Sequence, residues 1–99
     1  MKKEGIMLSK NPGEIKDLDA AKKDREILRL AIIAELDAIN LYEQLASITE
    51  NPNIKKVLLD VAHEEKVHVG EFLEMLLRND EEQLRDLEKG KEEIRELLE

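Results

Sequence analysis

The 99-residue sequence has no cysteine, no tryptophan, one phenylalanine, one tyrosine and only two prolines. Without thiols there is no disulfide, no iron–sulfur cluster and no thiolate zinc site, a composition that fits the cytoplasm. So few aromatics leave little bulk for a single-chain core, and a chain this short is expected to associate at least as a dimer. Long apolar runs are missing as well. No stretch reaches the roughly 18 uncharged apolar residues of a membrane span, and the first residues lack the apolar heart of a secretory signal. Positive charge is in deficit, with 16 basic residues against 24 acidic ones and a net charge of −8. That balance argues against nucleic acid as a partner and fits a soluble protein that attracts cations; neither nucleic acid nor a membrane is expected among its partners.

The scarcity of proline and glycine leaves room for long helices. Residues 1–18 are unpatterned, with Gly5 and the turn-like Asn11-Pro12-Gly13, and read as a mobile N-terminal arm. From Asp19 to Ile48 apolar residues recur at helical spacing, with Asp19 or Asp24 as the cap. Pro52 ends that run and suits the first turn of a second helix reaching Arg78, with Asn51 as its cap. So short a connection forces an antiparallel hairpin. Asp80 and Gln83 have capping-box spacing for a third helix carrying Leu84, Leu87, Ile94 and Leu98, which Gly90 either ends or bends. The charges from Glu81 to Glu99 read as the solvated face of that helix. The expected fold class is all-α: an antiparallel two-helix hairpin plus a short C-terminal helix over residues 19–99, dimerising into a four-helix bundle.

Each long helix carries an apolar seam with an interruption. Leu28, Ile32, Glu35, Ile39, Tyr42 and Ala46 alternate in steps of four and three, with one carboxylate in the middle. Ile54, Leu58, Val61, Glu65, His68, Phe72 and Met75 do the same, broken by an acid and an imidazole one turn apart. A core-facing acid needs a partner, because burying it alone costs several kcal/mol or forces it to protonate. If the hairpin turns near Asn51, Glu35 lies level with position 67, between Glu65 and His68. Two carboxylates and one imidazole then meet at one height.

Such a mixed oxygen and nitrogen set suits iron, manganese or zinc, and is too rich in nitrogen for a typical magnesium or calcium cage. Two copies about a two-fold axis would bring together two helices with one Glu each and two with Glu-x-x-His, the inventory of di-iron carboxylate bundles. Four carboxylates would offset the charge of two ferrous ions. Ferrous ions with open coordination positions can give electrons to dioxygen, which is ferroxidase chemistry.

The segments Ala34–Glu43 (A-E-L-D-A-I-N-L-Y-E), His63–His68 (H-E-E-K-V-H) and Leu76–Asp80 (L-L-R-N-D) closely resemble the encapsulated ferritins, within the ferritin-like group, over roughly Arg25 to Leu87. The resemblance implies that the 19–99 region is a half-ferritin helical domain forming a ferritin-like four-helix bundle with a second copy. It implies Glu35, Glu65 and His68 as iron ligands and catalytic residues, Tyr42 near the metal centre and Asp37 at the approach to it. Two irons per dimer interface are implied, with manganese, zinc or calcium able to substitute in crystals. The same resemblance implies a homodimer within a decameric ring, housed in the cytoplasm inside an encapsulin nanocompartment whose shell stores the oxidised iron. Two features depart from the pattern. No shell-targeting peptide follows Glu99, so the natural protein is fused to its shell, truncated here or targeted otherwise; and Ala34 stands where some relatives carry an acid.

Plainer readings stand beside these. Glu35 can be a seam charge paired with a lysine, and His68 a structural core histidine. Glu64 either supports a ligand or faces water, Asp37 is either surface or approach, and His63, about 200° around the helix from Glu65, is expected to be exposed. Phe72 and Met75 are expected in the core. Competing functions are a non-catalytic metal-dependent helical assembly module and a di-iron or dimanganese peroxidase.

Overall fold

The computed structural model describes residues 19–99, and the expected arm at 1–18 lies outside the described residues. Three helices follow one another: α1 Ala20–Ile48, α2 Pro52–Arg78 and α3 Glu81–Leu98. Local chemistry sets their ends. The Asp19 carboxylate accepts from the Lys22 amide, so Asp19, not Asp24, caps α1. Asn51 caps α2 by accepting from the Asn53 and Ile54 amides at 2.9 and 3.1 Å, and Pro52 occupies the first helical position, where its missing N–H costs nothing. Asp80 caps α3 through the Gln83 amide. Gly90 neither ends nor breaks α3, which runs unbroken past it.

α1 and α2 form an antiparallel hairpin, and α3 touches the end of α2. The α1 seam packs as its spacing predicts: Ile39 and Ala46 are buried, and Leu28, Ile32, Glu35 and Tyr42 are half-buried. On α2 the contact line sits one residue further on. Ala62 and Leu76 are buried and Val69 is half-buried, whereas Met75, expected in the core, is 49% exposed. Phe72 is half-buried. The physical reason is width, because α2 is apolar at 62, 69, 73 and 76 as well as at 54, 58, 61, 72 and 75. A stripe two residues wide can turn by one residue without exposing its pattern. The line Ile54, Val61, His68, Met75 therefore flanks the α1 contact and lies on the open side of the hairpin.

Four apolar residues in all are buried among the described residues. A radius of gyration of 16.9 Å exceeds the roughly 13 Å of a compact 100-residue chain. The hairpin thus has two broad faces and no enclosed core of its own. None of the described helices is long and apolar enough to cross a membrane.

Asp80 joins all three helices at one end of the molecule. One carboxylate oxygen caps α3 while the other accepts from Arg29 of α1 at 3.0 Å and lies 3.9 Å from Arg25. Its side chain is 11% exposed. Asp80→Ala, which loses both the cap and the ion pairs, is expected to destabilise the chain by roughly 1–2 kcal/mol. Asp80→Asn, which keeps the cap, should cost less than half as much. Thermal unfolding followed by circular dichroism checks the order of the two variants.

Candidate metal centre

Glu35 sits midway along α1, and Glu65 and His68 midway along α2, because the hairpin turn places equal distances from it side by side. His68 Nδ1 lies 3.1 Å from Glu35 Oε2 and 3.0 Å from Glu65 Oε1. One donor atom from each residue falls within 4.8 Å of the others, the separation a single ion can bridge. Among the described residues this is the one group of its kind.

The electrostatics follow from that crowding. A hydrogen bond with the Glu65 carboxyl, partial burial and repulsion from the Glu65 charge hold the Glu35 pKa above the ordinary carboxylate range, and the attraction and hydrogen bond of His68 offset this only in part.

The trio opens to one side. The two carboxylate side chains are 17% and 18% exposed, and the imidazole 45%. Helical geometry puts Ala31, Ala38, Tyr42 and Leu45 of α1 on the same side as Glu35, and Ile54, Val57, Val61, Phe72 and Met75 of α2 on the side of Glu65 and His68. Several of these are bare: Val57 is 62% exposed, Ile54 50% and Leu45 40%. An apolar collar therefore surrounds three polar donors. On the opposite side of the same hairpin Lys66 pairs with Glu43 at 3.1 Å. Lys66 is thus engaged away from Glu35, and among the described residues no lysine pairs with Glu35.

The remaining candidates are placed less centrally. Tyr42 is half-buried, about two turns along the seam from Glu35, and among the described residues its hydroxyl makes no hydrogen bond to either carboxylate of the trio. Glu64 and His63 are exposed. Asp37 is exposed in a shallow groove on α1 with Ala34, Ala38, Asn40, Leu41 and Gln44, apart from the trio. The sequence reading missed the Glu43–Lys66 pair and the collar as a continuous surface. Both were accessible from residue spacing once α2 was turned by one residue.

Two carboxylates and one imidazole fit a first-row divalent metal such as ferrous iron, manganese or zinc. Three protein donors leave coordination positions unfilled, to be completed by water, by substrate or by donors from another chain.

A protein-family model described as Rubrerythrin matches residues 26–98. The chain is 59% identical over 93 residues to a ferritin-like–encapsulin shell fusion protein of Pyrococcus furiosus, a match spanning 92% of this chain and 27% of that protein. It is 37% identical over 84 residues to the encapsulin nanocompartment cargo protein EncC of Myxococcus xanthus, across 85% of this chain and 62% of the relative. The chain therefore spans less than two thirds of either relative. The crystal structure of the encapsulated ferritin domain from Pyrococcus furiosus matches it with a TM-score of 0.79 at 55% identity, over 93% of this chain and 96% of that one. With a family model covering α1, α2 and α3 almost end to end, and a solved ferritin domain matching the same helices, the chain belongs to the rubrerythrin family and has a ferritin-like fold.

Proposed function

We propose that this chain supplies half of a ferroxidase centre. Two copies, related by a two-fold axis, bring their open sides together so that Glu35, Glu65 and His68 from each hold two ferrous ions between them. The observation that carries this reading is the convergence of three metal-donor side chains from two helices on the apolar, uncovered side of a hairpin. A donor set that faces solvent across an apolar collar is incomplete alone and becomes enclosed by a second copy of itself.

Ferrous iron is the substrate and dioxygen takes its electrons. The residues of this chain bind and orient the metal: the carboxylates neutralise its charge and favour the ferric product as hard donors, and His68 supplies the nitrogen. Metal and protons compete for Glu35, since only the carboxylate coordinates. The collar excludes water from the centre once the second copy is seated.

The relatives named for encapsulin suggest where this happens. Their printed names describe a shell fusion and a compartment cargo protein, which supports a role for this chain inside an encapsulin compartment, feeding oxidised iron to storage, with ring assembly of the dimers. Anaerobic titration with ferrous iron followed by exposure to air tests the central reaction. Ferric absorbance is expected to rise rapidly and to saturate near one iron per chain. Absence of binding would leave a purely structural helical assembly, and turnover of peroxide without lasting iron uptake would leave a peroxidase; either result overturns the reading.

A further inference from the structure

Met75 stands seven residues beyond His68 on the open line of α2, two turns or about 10 Å along the helix. The seam spacing predicts it in the core, yet it is 49% exposed. The chain has no cysteine and three methionines, and among the described residues Met75 holds the only sulfur atom. The side chains that share its face, Ile54, Val57 and Val61 of α2 and Leu45 of α1, are hydrocarbon.

Sulfur differs from those carbons in that it is readily oxidised. A thioether takes an oxygen atom from peroxide to become methionine sulfoxide, a reversible change that turns a flexible apolar side chain into a polar one. In that step the peroxide O–O bond breaks, an S–O bond forms, the sulfur gives up two electrons and the other oxygen leaves as water. A ferroxidase centre is a source of peroxide, because two ferrous ions surrender two electrons and two electrons take dioxygen as far as hydrogen peroxide. The collar's sulfur thus lies two turns from the place where its own oxidant forms.

We propose that Met75 is a site of reversible sulfoxidation that controls closure of the open side of the hairpin. The inference rests on the reading that a second copy closes over Glu35, Glu65 and His68. With the thioether intact, Met75 packs into the collar as an apolar, adaptable side chain. The sulfoxide instead buries a strong acceptor among Ile54, Val57, Val61 and Leu45, which offer it no side-chain donor; such a group weakens association by about tenfold, and a two-fold axis imposes it twice. The oxidised chain stays open. A build-up of peroxide thereby silences the centre that makes it.

Sedimentation velocity of the full-length chain with manganese tests this, before and after treatment with hydrogen peroxide that is removed before the metal is added. Peptide mass spectrometry maps the added oxygen. Oxidation of Met75 is expected to weaken the manganese-induced association by at least about tenfold, and methionine sulfoxide reductases should restore it. Met75→Leu, which keeps an apolar side chain of similar volume, should associate like the untreated chain and resist peroxide, and Met75→Gln should weaken association with no oxidant at all. Circular dichroism on each sample reports that the helices persist. A Met75 that peroxide leaves unoxidised, association that survives its complete oxidation, a Met75→Gln chain that associates normally, or a peroxide effect that persists in Met75→Leu would each overturn the proposal alone. A chain that fails to associate with manganese even before peroxide overturns the closure by a second copy, and this proposal with it.

Discussion

Replacing Glu65 or His68 by alanine is expected to abolish rapid ferrous oxidation, a loss of at least about 100-fold in initial rate, while leaving a helical, soluble chain. Removing even an outer support of a metal ligand typically costs 10–100-fold in metal affinity or activity, and in the proposed centre these residues are the donors themselves. In that proposed centre each chain would offer one imidazole and two carboxylates. A two-fold assembly doubles every substitution, so one change removes two donors from the pair of metals. Stability should move the other way for Glu65→Ala. In the metal-free chain Glu65 is what holds the Glu35 pKa up, by hydrogen bonding and by repulsion. Deleting one of two crowded acids relieves that repulsion, and a carboxylate replaced by a small apolar group need not unfold a helical bundle. Stopped-flow absorbance of the ferric product gives the rate, and thermal melts of the metal-free variants give the stability. A variant that oxidises iron at a rate comparable to the parent chain contradicts the assignment of these ligands. A variant that is inactive but also unfolded would be replaced by Glu65→Gln, which keeps the volume and removes the charge.

How much of this was legible in the residues varies between the helices, for reasons of pattern width. On α1 the seam faces α2 as its spacing predicts, with Ile39 and Ala46 buried, although Ile33, Leu36, Leu41 and Leu45 beside it are apolar too and stay exposed. The convergence of Glu35 with Glu65 and His68 was legible too, because a short turn around Asn51 fixes the register by counting. On α2 the apolar face is wide enough to serve two neighbours. Periodicity could not say which line faced α1 and which lay open, so Met75 was misplaced and the collar went unread. Its breadth reflects what the helix does: one line packs inside the chain, while the adjacent line, which includes His68, is left for something else. The Asp80 junction was half legible. Capping-box spacing with Gln83 pointed to it, but the pairing with Arg29 spans 51 residues and depends on how α3 leaves the hairpin, which no local pattern encodes. Asp37 and Glu64 were undecidable in the sequence because exposed acids are common in a chain with 24 of them.

Metal and self-association should be linked through the same three side chains, and acid should uncouple them. Glu35 holds its proton above the usual carboxylate range in the folded, metal-free chain. A carboxyl whose folded pKa is raised favours the folded state below its unfolded pKa, and that contribution is lost as pH rises through the folded pKa. At neutral pH the metal-free centre therefore carries unrelieved negative charge, which also opposes bringing two such sides together. A divalent ion reverses the sign of that interaction and ties the two chains into one unit. Manganese, which is divalent and resists oxidation under these conditions, should convert the hairpins to a tighter assembly at pH 7.5. At about 100 times its dissociation constant a ligand specific for the native state contributes about 2.7 kcal/mol, so the unfolding midpoint should rise by roughly 10 °C or more. Both effects should fade as pH falls through the raised Glu35 pKa, where protons compete with metal. Val57→Lys, which sets a charge on the collar without touching a ligand, should block the metal-induced association, whereas His63→Ala on the outer face should not. Sedimentation velocity with and without manganese at two pH values measures this, and a molecular mass indifferent to metal at both would show that the open side of the hairpin is not closed by a metal-bound second copy.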